Sequence, residues 1–594
     1  MQPAHAEFHF SPRPNKAHEI AWQSWGRDAF DRARTEDKPI LLSISAVWCH
    51  WCHVMDETSY SDPGIIAAIN ERFVPVRVDN DRRPDVNARY NQGGWPTTAF
   101  LTPEGALLAG ATYLPPDHLA QALDQIAAFY HTNREQIEER AGELRSRVRS
   151  YDGASPSALD DTIVARVMDA LEHAYDEEYA GFGDAPKFPM TDTLAFLLQE
   201  HAATGNERAY EMAARTVLAM SSGGMYDHVE GGFFRYSTTR DWSVPHFEKM
   251  TEDHAALLRI LARLARTTRN DRFHSTLVSA VGYVRAVLRD PDTGFFAGSQ
   301  DADEQYYELP LEERRTMQPP YVDRTSYSNW TAAMAAAFLA AGNVLEDDRI
   351  DAEGVATLDA LHERMLDSDG LLMHYLEPGG APQVRGLLTD QQAYLRALLD
   401  AHEYTGEGRF LERAQRAAGA ILTAFSAPDG GFYDHASVED SLGNLTVRDR
   451  PLSENAWLAE SLLRLSALGG GQQYRKAAEA ALALYVNTFE RAGIFAASYA
   501  RAVRRYLLAE TAIVFVGTPE QTADLREAAH ALPIAAPAFR TIDPGESEAL
   551  ELRGLSPNPA PAAYVCAGTV CGSPARDAGA LRDSYEHLLA PKGG

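Results

Sequence analysis

A glycine followed by a bulky apolar residue recurs six times through the middle of the chain, at Gly181-Phe182, Gly232-Phe233, Gly294-Phe295, Gly370-Leu371, Gly431-Phe432 and Gly493-Ile494. The marks stand about 51 to 76 residues apart, longer than most solenoid repeats and enough for two helices with their loops. From a polar linker at Ser150–Asp161 to about Ala509 the sequence between the marks is rich in Ala and Leu and reads as helix. A helix pair of this kind cannot bury its apolar face alone. The repeat therefore predicts six helical hairpins closed into an all-α (α/α)6 toroid around a cavity, with an open helical solenoid as the competing arrangement. At 594 residues the chain also exceeds what one hydrophobic core holds, so further domains are expected beside the hairpins.

Lys and Arg total 55 against 84 Asp and Glu, a net charge of −29. Such a surface repels phosphate backbones and anionic lipid, so neither nucleic acid nor membrane is an expected partner. Small-molecule carbohydrate, a protein thiol substrate and a cellular thiol reductant are the partners that fit; no cofactor and no metal is expected. The start, MQPAHAEFHF, has no basic stretch leading into an apolar run, and apolar runs such as Ala332–Gly342 fall short of the ~20 residues that cross a bilayer, so the expected location is cytoplasmic. The four cysteines fall into two close pairs, Cys49/Cys52 and Cys566/Cys571, too few for a disulfide framework.

Residues 1–149 read as a mixed α/β domain. A helical pattern from Glu19 to about Thr35 gives way to a buried strand at Pro39–Val47, which leads into Cys49-His-Trp-Cys-His53. A helix to Asn70, a second strand at Phe73–Val78, a strand entered through Trp95-Pro96 and a closing helix from Pro116 follow. Strand, C-x-x-C at a helix start, crossover, and X-Pro into an antiparallel strand is the order of a thioredoxin fold. Unpaired N–H groups and the dipole of the first helical turn favour a thiolate, which makes Cys49 the nucleophile and Cys52 the resolving thiol. Pro96, through a cis bond to Trp95, would set a backbone edge beside them. C-x-x-C-H is also the haem-attachment string, and Cys49, His50, Cys52 and His53 are metal-ligand types; a thioredoxin-like domain without turnover is a further alternative.

Beside the six marks stand polar strings that helix packing does not need: GFGDAPKFP from Gly181, GGMYDHVEGGFFRYS from Gly223, VPHFEKM from Val244 and GFFAGSQDADE from Gly294. Carboxylates, histidine and aromatic rings around a deep cavity suit sugar binding, with carboxylates holding hydroxyls or moving protons. Asp227, His246, Glu248, Asp301 and Asp303 are the candidate catalytic residues of the cavity. Lys187, Arg235, Tyr236, Lys249, Asp390 and Glu454 are the candidate substrate-binding set. Taken individually, each cavity candidate reads first as a hydrogen-bond partner that fixes a loop, and only as a set do they read as a site. Inverting hydrolysis would need two carboxyl groups about 6.5–9.5 Å apart, and epimerisation would need bases such as His228 and His246.

CHWCHVM, RRPD, GGWP, APKFP, YDHVEGGFFRYS, VPHFEKM and SQDAD together resemble the family of thioredoxin domain-containing proteins related to the spermatogenesis-associated thioredoxin-like protein. The resemblance runs over nearly the whole chain. It implies an N-terminal thioredoxin-like domain joined to a six-hairpin glycosidase-like toroid similar to N-acylglucosamine 2-epimerases, with a link to carbohydrate metabolism. Three departures stand out. Only Val86–Gln92 separates RRPD from GGWP, where relatives carry a longer helical stretch, which is expected to reshape the groove beside the thiols. SQDAD runs on into EQYYELPLEERRTMQPPYVDR, and Pro451-Leu-Ser-Glu454-Asn455 adds a carboxylate to the family's Pro-Ser-Gly-Asn.

From Thr511 a strand, a helix and a second strand alternate, so residues 510–594 read as a small α/β extension after a toroid at 150–509. Cys566 and Cys571 lie there as C-x4-C, open to a structural role, a metal, or exchange with Cys49. The functional expectation is a thiol–disulfide oxidoreductase domain coupled to a carbohydrate-binding or carbohydrate-processing toroid. Its alternatives are a non-catalytic binding protein, and a sugar epimerase or glycosidase with a structural thioredoxin-like domain.

Overall fold

The computed structural model describes residues 8–133, 136, 137, 139, 158–268, 270–437, 439, 441–546, 550, 555, 561–568 and 570–588. Of the linker read at Ser150–Asp161, residues 150–157 lie outside the described residues. The chain forms two compact units: Met1–Ala154 with His435–Asp449, and Ser155–Asp434 with Arg450–Gly594.

In the first unit α1 (Arg27–Glu36) leads to β1 (Ile40–Ser45), α2 (His50–Glu57), α3 (Pro63–Arg72), β2 (Val74–Asp79), α4 (Pro84–Tyr90), β3 (Thr97–Leu101), β4 (Leu107–Ala111) and α5 (Pro116–Thr132). The sheet runs β2-β1-β3-β4, with β1 parallel to β2 and antiparallel to β3. Every residue of β1 is buried because both faces are covered, which is why the strand reads as one apolar run. Ile40, Leu42 and Ile44 pack with Trp25, Phe30 and Tyr90 on one side, and Leu41 packs with Met55, Phe73 and Leu123 on the other. The short link at Val86–Gln92 overlaps α4, started by a proline at its first position. The Tyr90 hydroxyl at its end donates to the Gly105 carbonyl (2.7 Å) and accepts from the Asn444 N–H (2.8 Å). Asn444 and the core residue Leu445 come from His435–Asp449, a stretch read as toroid from the sequence but part of this unit.

The second unit holds six helical hairpins: α6 (Asp161–Ala174) with α7 (Thr191–Thr204), α8 (Glu207–Ser222) with α9 (Thr251–Thr267), α10 (Asp271–Tyr283) with α11 (Ser328–Leu345), α12 (Asp348–Arg364) with α13 (Leu388–Thr405), α14 (Gly408–Phe425) with α15 (Leu452–Leu465), and α16 (Gln472–Ala483) with α17 (Ala497–Leu507). The second helix of each pair packs on the second helix of the next, from α7 through α9, α11, α13 and α15 to α17, and α17 returns to α7. The ring is closed, so the solenoid alternative falls and the (α/α)6 toroid stands. The buried Ala-rich face of α11 lets its neighbours approach closely.

All six marked glycines lie at positive φ, between 55° and 84°, on the turn from an outer to an inner helix. In five hairpins the residue at or just after the glycine's partner bridges back to the outer helix end, as Tyr175 does to Phe182 and Tyr226 to Phe233. An aspartate opens four of these turns: Asp176, Asp227, Asp290 and Asp367 each accept the N–H two residues on. The returns from inner to outer helix are short, so the long polar loops gather at the N-terminal ends of the inner helices.

After the toroid come β5 (Thr511–Val516), α18 (Ala523–His530), β6 (Phe539–Ile542), β7 (Ala562–Ala567), β8 (Val570–Cys571) and α19 (Ala578–Leu588), in a sheet ordered β6-β5-β7-β8. This α/β extension lies in the same compact unit as the toroid. Its stretch from Ala529 to Phe539 lines the toroid cavity together with the inner helices, and His530 stacks on Tyr404 of α13 at 4.2 Å. Cys566 and Cys571 face each other across β7 and β8 and are joined as a disulfide.

The glycine turns make a paired prediction. At Gly294 (φ 74°) an added Cβ meets nothing within 4 Å, so Gly294→Ala is expected to cost only the left-handed penalty, ~1–2 kcal/mol. At Gly232 (φ 84°) the same atom falls 2.6 Å from the Tyr283 ring and 2.9 Å from His254 Nε2, the acceptor of the Phe233 N–H. Gly232→Ala is expected to lose a further ~1–3 kcal/mol in urea unfolding; equal losses would contradict the described turn.

Candidate functional site

The thiol site is built by β1 and α2. Cys49 caps α2, and its Sγ accepts the Cys52 N–H at 3.2 Å, so the sulfur sits where the first helical turn offers free donors and a positive dipole end. Cys49 and Cys52 are buried and joined as a disulfide. Trp48 is held by its Nε1 donating to Asp81 Oδ2 at 2.7 Å, and its ring meets Trp95 edge-on at 5.4 Å. The Trp95-Pro96 bond is cis, as the sequence reading expected. Trp51 between the cysteines is 50 % exposed and leans on Tyr113 at 5.1 Å, an aromatic surface beside the sulfurs. Behind them, burial and then the charges of His9 and Arg77 push His53 down to about 4, which keeps it neutral at pH 7. Arg77 makes a buried two-pronged pair with Asp56 (2.8 and 3.0 Å). Among the described residues no group of three or more His, Cys, Asp or Glu is arranged to hold a metal ion.

In the second unit, the sequence candidates divide between the mouth of the toroid and its loop scaffold. His246 donates through Nδ1 to the Glu248 carboxylate, and its ring stacks on Tyr236 at 4.9 Å, which in turn stacks on Phe188 at 4.8 Å. The imidazole is thus fixed on its edge and on its face. Arg235, next to Tyr236, donates its backbone N–H to the Glu248 carbonyl (2.9 Å), and its charge opposes Glu252 and Asp253. Asp301 lies within electrostatic range of Glu248 and is 7 % exposed; burial first, then Glu248 and Asp303, raise its carboxyl to about 7.

The other candidates are engaged in the scaffold. The Asp227 carboxylate is buried and takes Lys249 Nζ (2.8 Å) and Arg314 Nη1 (2.7 Å); burial alone would raise it, but these cations hold it below the usual range. Lys249, 0 % exposed, also donates to the Gly231 carbonyl, and Lys187, likewise 0 % exposed, repeats the arrangement one hairpin earlier on Asp176 and the Ala180 carbonyl. Both lysines pin loops and do not face the cavity. Asp303 caps a short helix through the Tyr306 N–H (3.0 Å). Asp390 is fully buried, holding His374 Nδ1 and the Asn329 N–H, and positions the start of α11. Glu454 sits half-buried in the first turn of α15, and His228 Nε2 donates to the Gly223 carbonyl.

The cavity enclosed by the inner helices measures about 1140 Å³. Its mouth carries two carboxyls that the motif reading stopped just short of: Glu252 and Asp253, directly after VPHFEKM, in the first turn of α9. Burial, then Glu252 and Glu248, push Asp253 up to about 7, and burial raises Glu252. His246 and Glu248 stand one step outside the lining and couple to it through Asp253. Trp330 and Trp457 add aromatic faces, the latter tied by Nε1 to Asp192 at 3.1 Å. The available signal was position: acidic residues opening an inner helix right after a polar loop.

Residues 12–149 match the family Thioredox_DsbH, described as a protein of unknown function, DUF255. Human spermatogenesis-associated protein 20 is 27 % identical over 706 residues, covering 95 % of this chain and 89 % of that protein. The thiol:disulfide interchange protein DsbD of Pseudomonas fluorescens is 28 % identical over 81 residues, 13 % of this chain and 14 % of its own. Among solved structures, cellobiose 2-epimerase from Bacillus thermoamylovorans aligns with a TM-score of 0.48 at 12 % identity, over 61 % of this chain and 99 % of that one. The closed ring of inner helices, not this likeness, defines the toroid.

Asp301 yields a pH prediction. The folded chain keeps its proton to about pH 7, whereas an unfolded aspartate loses it near ~4, so between those values the native state binds more protons and stability falls as pH rises. Asp301→Asn is expected to flatten that fall, gaining ~2–4 kcal/mol on the parent at pH 8 relative to pH 4 in urea unfolding. An unchanged slope would contradict the placement of Asp301. The chain is similar to human spermatogenesis-associated protein 20 along 95 % of its length, and its residues 12–149 match the Thioredox_DsbH family model.

Proposed function

We propose that the first unit is a thiol–disulfide oxidoreductase and that the toroid binds and processes a carbohydrate. The observation that carries the redox reading is the placement of Cys49 Sγ at the N-cap of α2, accepting the Cys52 N–H, with Cys52 close enough to close the disulfide. In the reduced protein the helix terminus favours the Cys49 thiolate, which attacks one sulfur of a substrate disulfide and expels the other as a thiolate. The Cys52 thiolate then attacks Cys49 in the mixed disulfide. The substrate leaves as a dithiol after taking up two protons, and the protein is left with its internal disulfide. A cellular thiol restores the dithiol by the reverse exchange. Trp51, Tyr113 and the chain at Pro96 supply the surface on which a peptide would rest.

The carbohydrate reading rests on the His246–Glu248 pair beside Asp253 and Asp301. A histidine oriented by a carboxylate can take up or return a proton, and carboxyls titrating near neutrality can supply one. Trp330 and Trp457 offer faces for sugar rings.

Insulin reduction by dithiothreitol is the test of the redox reading. The parent is expected to accelerate it, Cys49→Ser to lose the acceleration by at least ~10²-fold, and Cys52→Ser to accumulate a mixed disulfide visible by mass. A Cys49→Ser variant with the parent rate would overturn it.

A further inference from the structure

The cavity wall is charged in two layers. Asp192, Glu252 and Asp253 occupy the first turns of their helices at the mouth. About 9 Å deeper, by the rise of six helical residues, the charge changes sign at Arg259 and Arg396, and Arg501 bridges the two layers with its Nη1 on Asp192 at 3.3 Å. Most of the deeper guanidinia are accounted for. Arg259 and Arg464 share Asp400, Arg464 also meets Glu403 at 2.9 Å, and Arg501 meets Glu460 at 2.9 Å. Arg263 donates to the Leu198 carbonyl and Arg505 to the Pro537 carbonyl, each at 2.8 Å, near helix ends whose dipoles favour a cation.

Arg396 fits neither explanation. It stands midway along α13, away from both helix ends, and among the described residues it has no hydrogen bond and no ion pair. The acids nearest in charge, Glu460 and Asp400, are already held by other arginines. Burial, then Arg259 and Arg501, lower its pKa to about 9, which still leaves it cationic at neutral pH. A half-buried guanidinium facing the cavity beside two others, with no carboxylate of its own, would be stabilised by an anion. The space for one exists, since the cavity of about 1140 Å³ exceeds the needs of a single sugar ring.

We propose that Arg396, flanked by Arg259 and Arg501, is an anion subsite, and that the ligand of the toroid is a sugar bearing a phosphate or a carboxylate. The anionic group lies at Arg396, and the ring lies toward the mouth beside Trp330, Trp457 and Asp253. This inference rests on the carbohydrate reading and narrows it to charged sugars.

The test is calorimetric titration of the full chain with three panels, hexose 6-phosphates, hexuronates and the parent neutral hexoses, together with inorganic phosphate. At least one charged sugar is expected to bind ~10- to 100-fold more tightly than its neutral parent, and the panel that does so identifies phosphate or carboxylate as the group. Arg396→Gln, which removes no internal bond, is expected to erase that advantage without lowering the unfolding midpoint, and Arg396→Lys to restore part of it. Neutral hexoses binding as tightly as charged ones would overturn the anion subsite while leaving the carbohydrate reading intact. Inorganic phosphate binding as tightly as any sugar phosphate would overturn the carbohydrate reading and the charged-sugar ligand with it. Absence of binding in all panels, or an Arg396→Gln variant with parental affinity for the charged sugar, would also overturn the proposal.

Discussion

Six glycines held at positive φ reverse the chain from each outer helix into the next inner one, and the functional geometry of the toroid follows from that reversal. Because the same turn is used each time, all six inner helices begin at one mouth, and the residues just after each turn are delivered to the same place. Acidic side chains in those first turns meet the positive ends of the helix dipoles, and Arg263 and Arg505 lie near the negative ends of theirs. The aspartates that open the turns, and the two buried lysines that lock the first two of them, exist to hold this reversal. Removing one partner of such a buried pair would strand a charge in the interior, so these residues are rigid structural requirements.

The same reasoning shows why the toroid was legible in the sequence while half of its candidate site was not. A glycine at positive φ has no good substitute, so the hairpin period survives as a visible mark. The buried strand Ile40–Ser45, the C-x-x-C at a helix start and the cis Trp95-Pro96 were readable for a similar reason: each is a local demand on particular residue types. Asp227, Lys187, Lys249 and Asp390 looked like cavity residues because polar loops near a mouth attract that reading. What separates a pinning carboxylate from a reactive one is its partner, and Arg314 reaches Asp227 from 87 residues away. Glu252 and Asp253 were passed over because in sequence they look like an ordinary acidic first turn. The return of His435–Asp449 to the first unit left no mark either, since its anchors are scattered single contacts: the Tyr90 hydroxyl on Asn444, Arg89 on the Val447 carbonyl, and Leu442 and Leu445 in the core.

The two proposed chemistries make opposite demands. In the first unit two sulfurs must approach, bond and part, so the site is placed at a helix end beside an exposed tryptophan. In the toroid an acidic mouth opens onto deeper arginines, most of them paired with Asp192, Asp400, Glu403 or Glu460 and Arg396 left over, which would suit a ligand with a neutral, hydroxyl-rich end and an anionic end. Arg396, without a hydrogen bond or ion pair among the described residues, thus stands inside the cavity of a strongly acidic protein.

The most direct measurement is a crystal structure of the full chain grown with a hexose 6-phosphate or hexuronate. The account predicts density for the anionic group against the Arg396 guanidinium and for the sugar ring between Trp330, Trp457 and Asp253. Density for the sugar outside the ring of inner helices, or in the cavity with its anionic group turned away from Arg396, would contradict it.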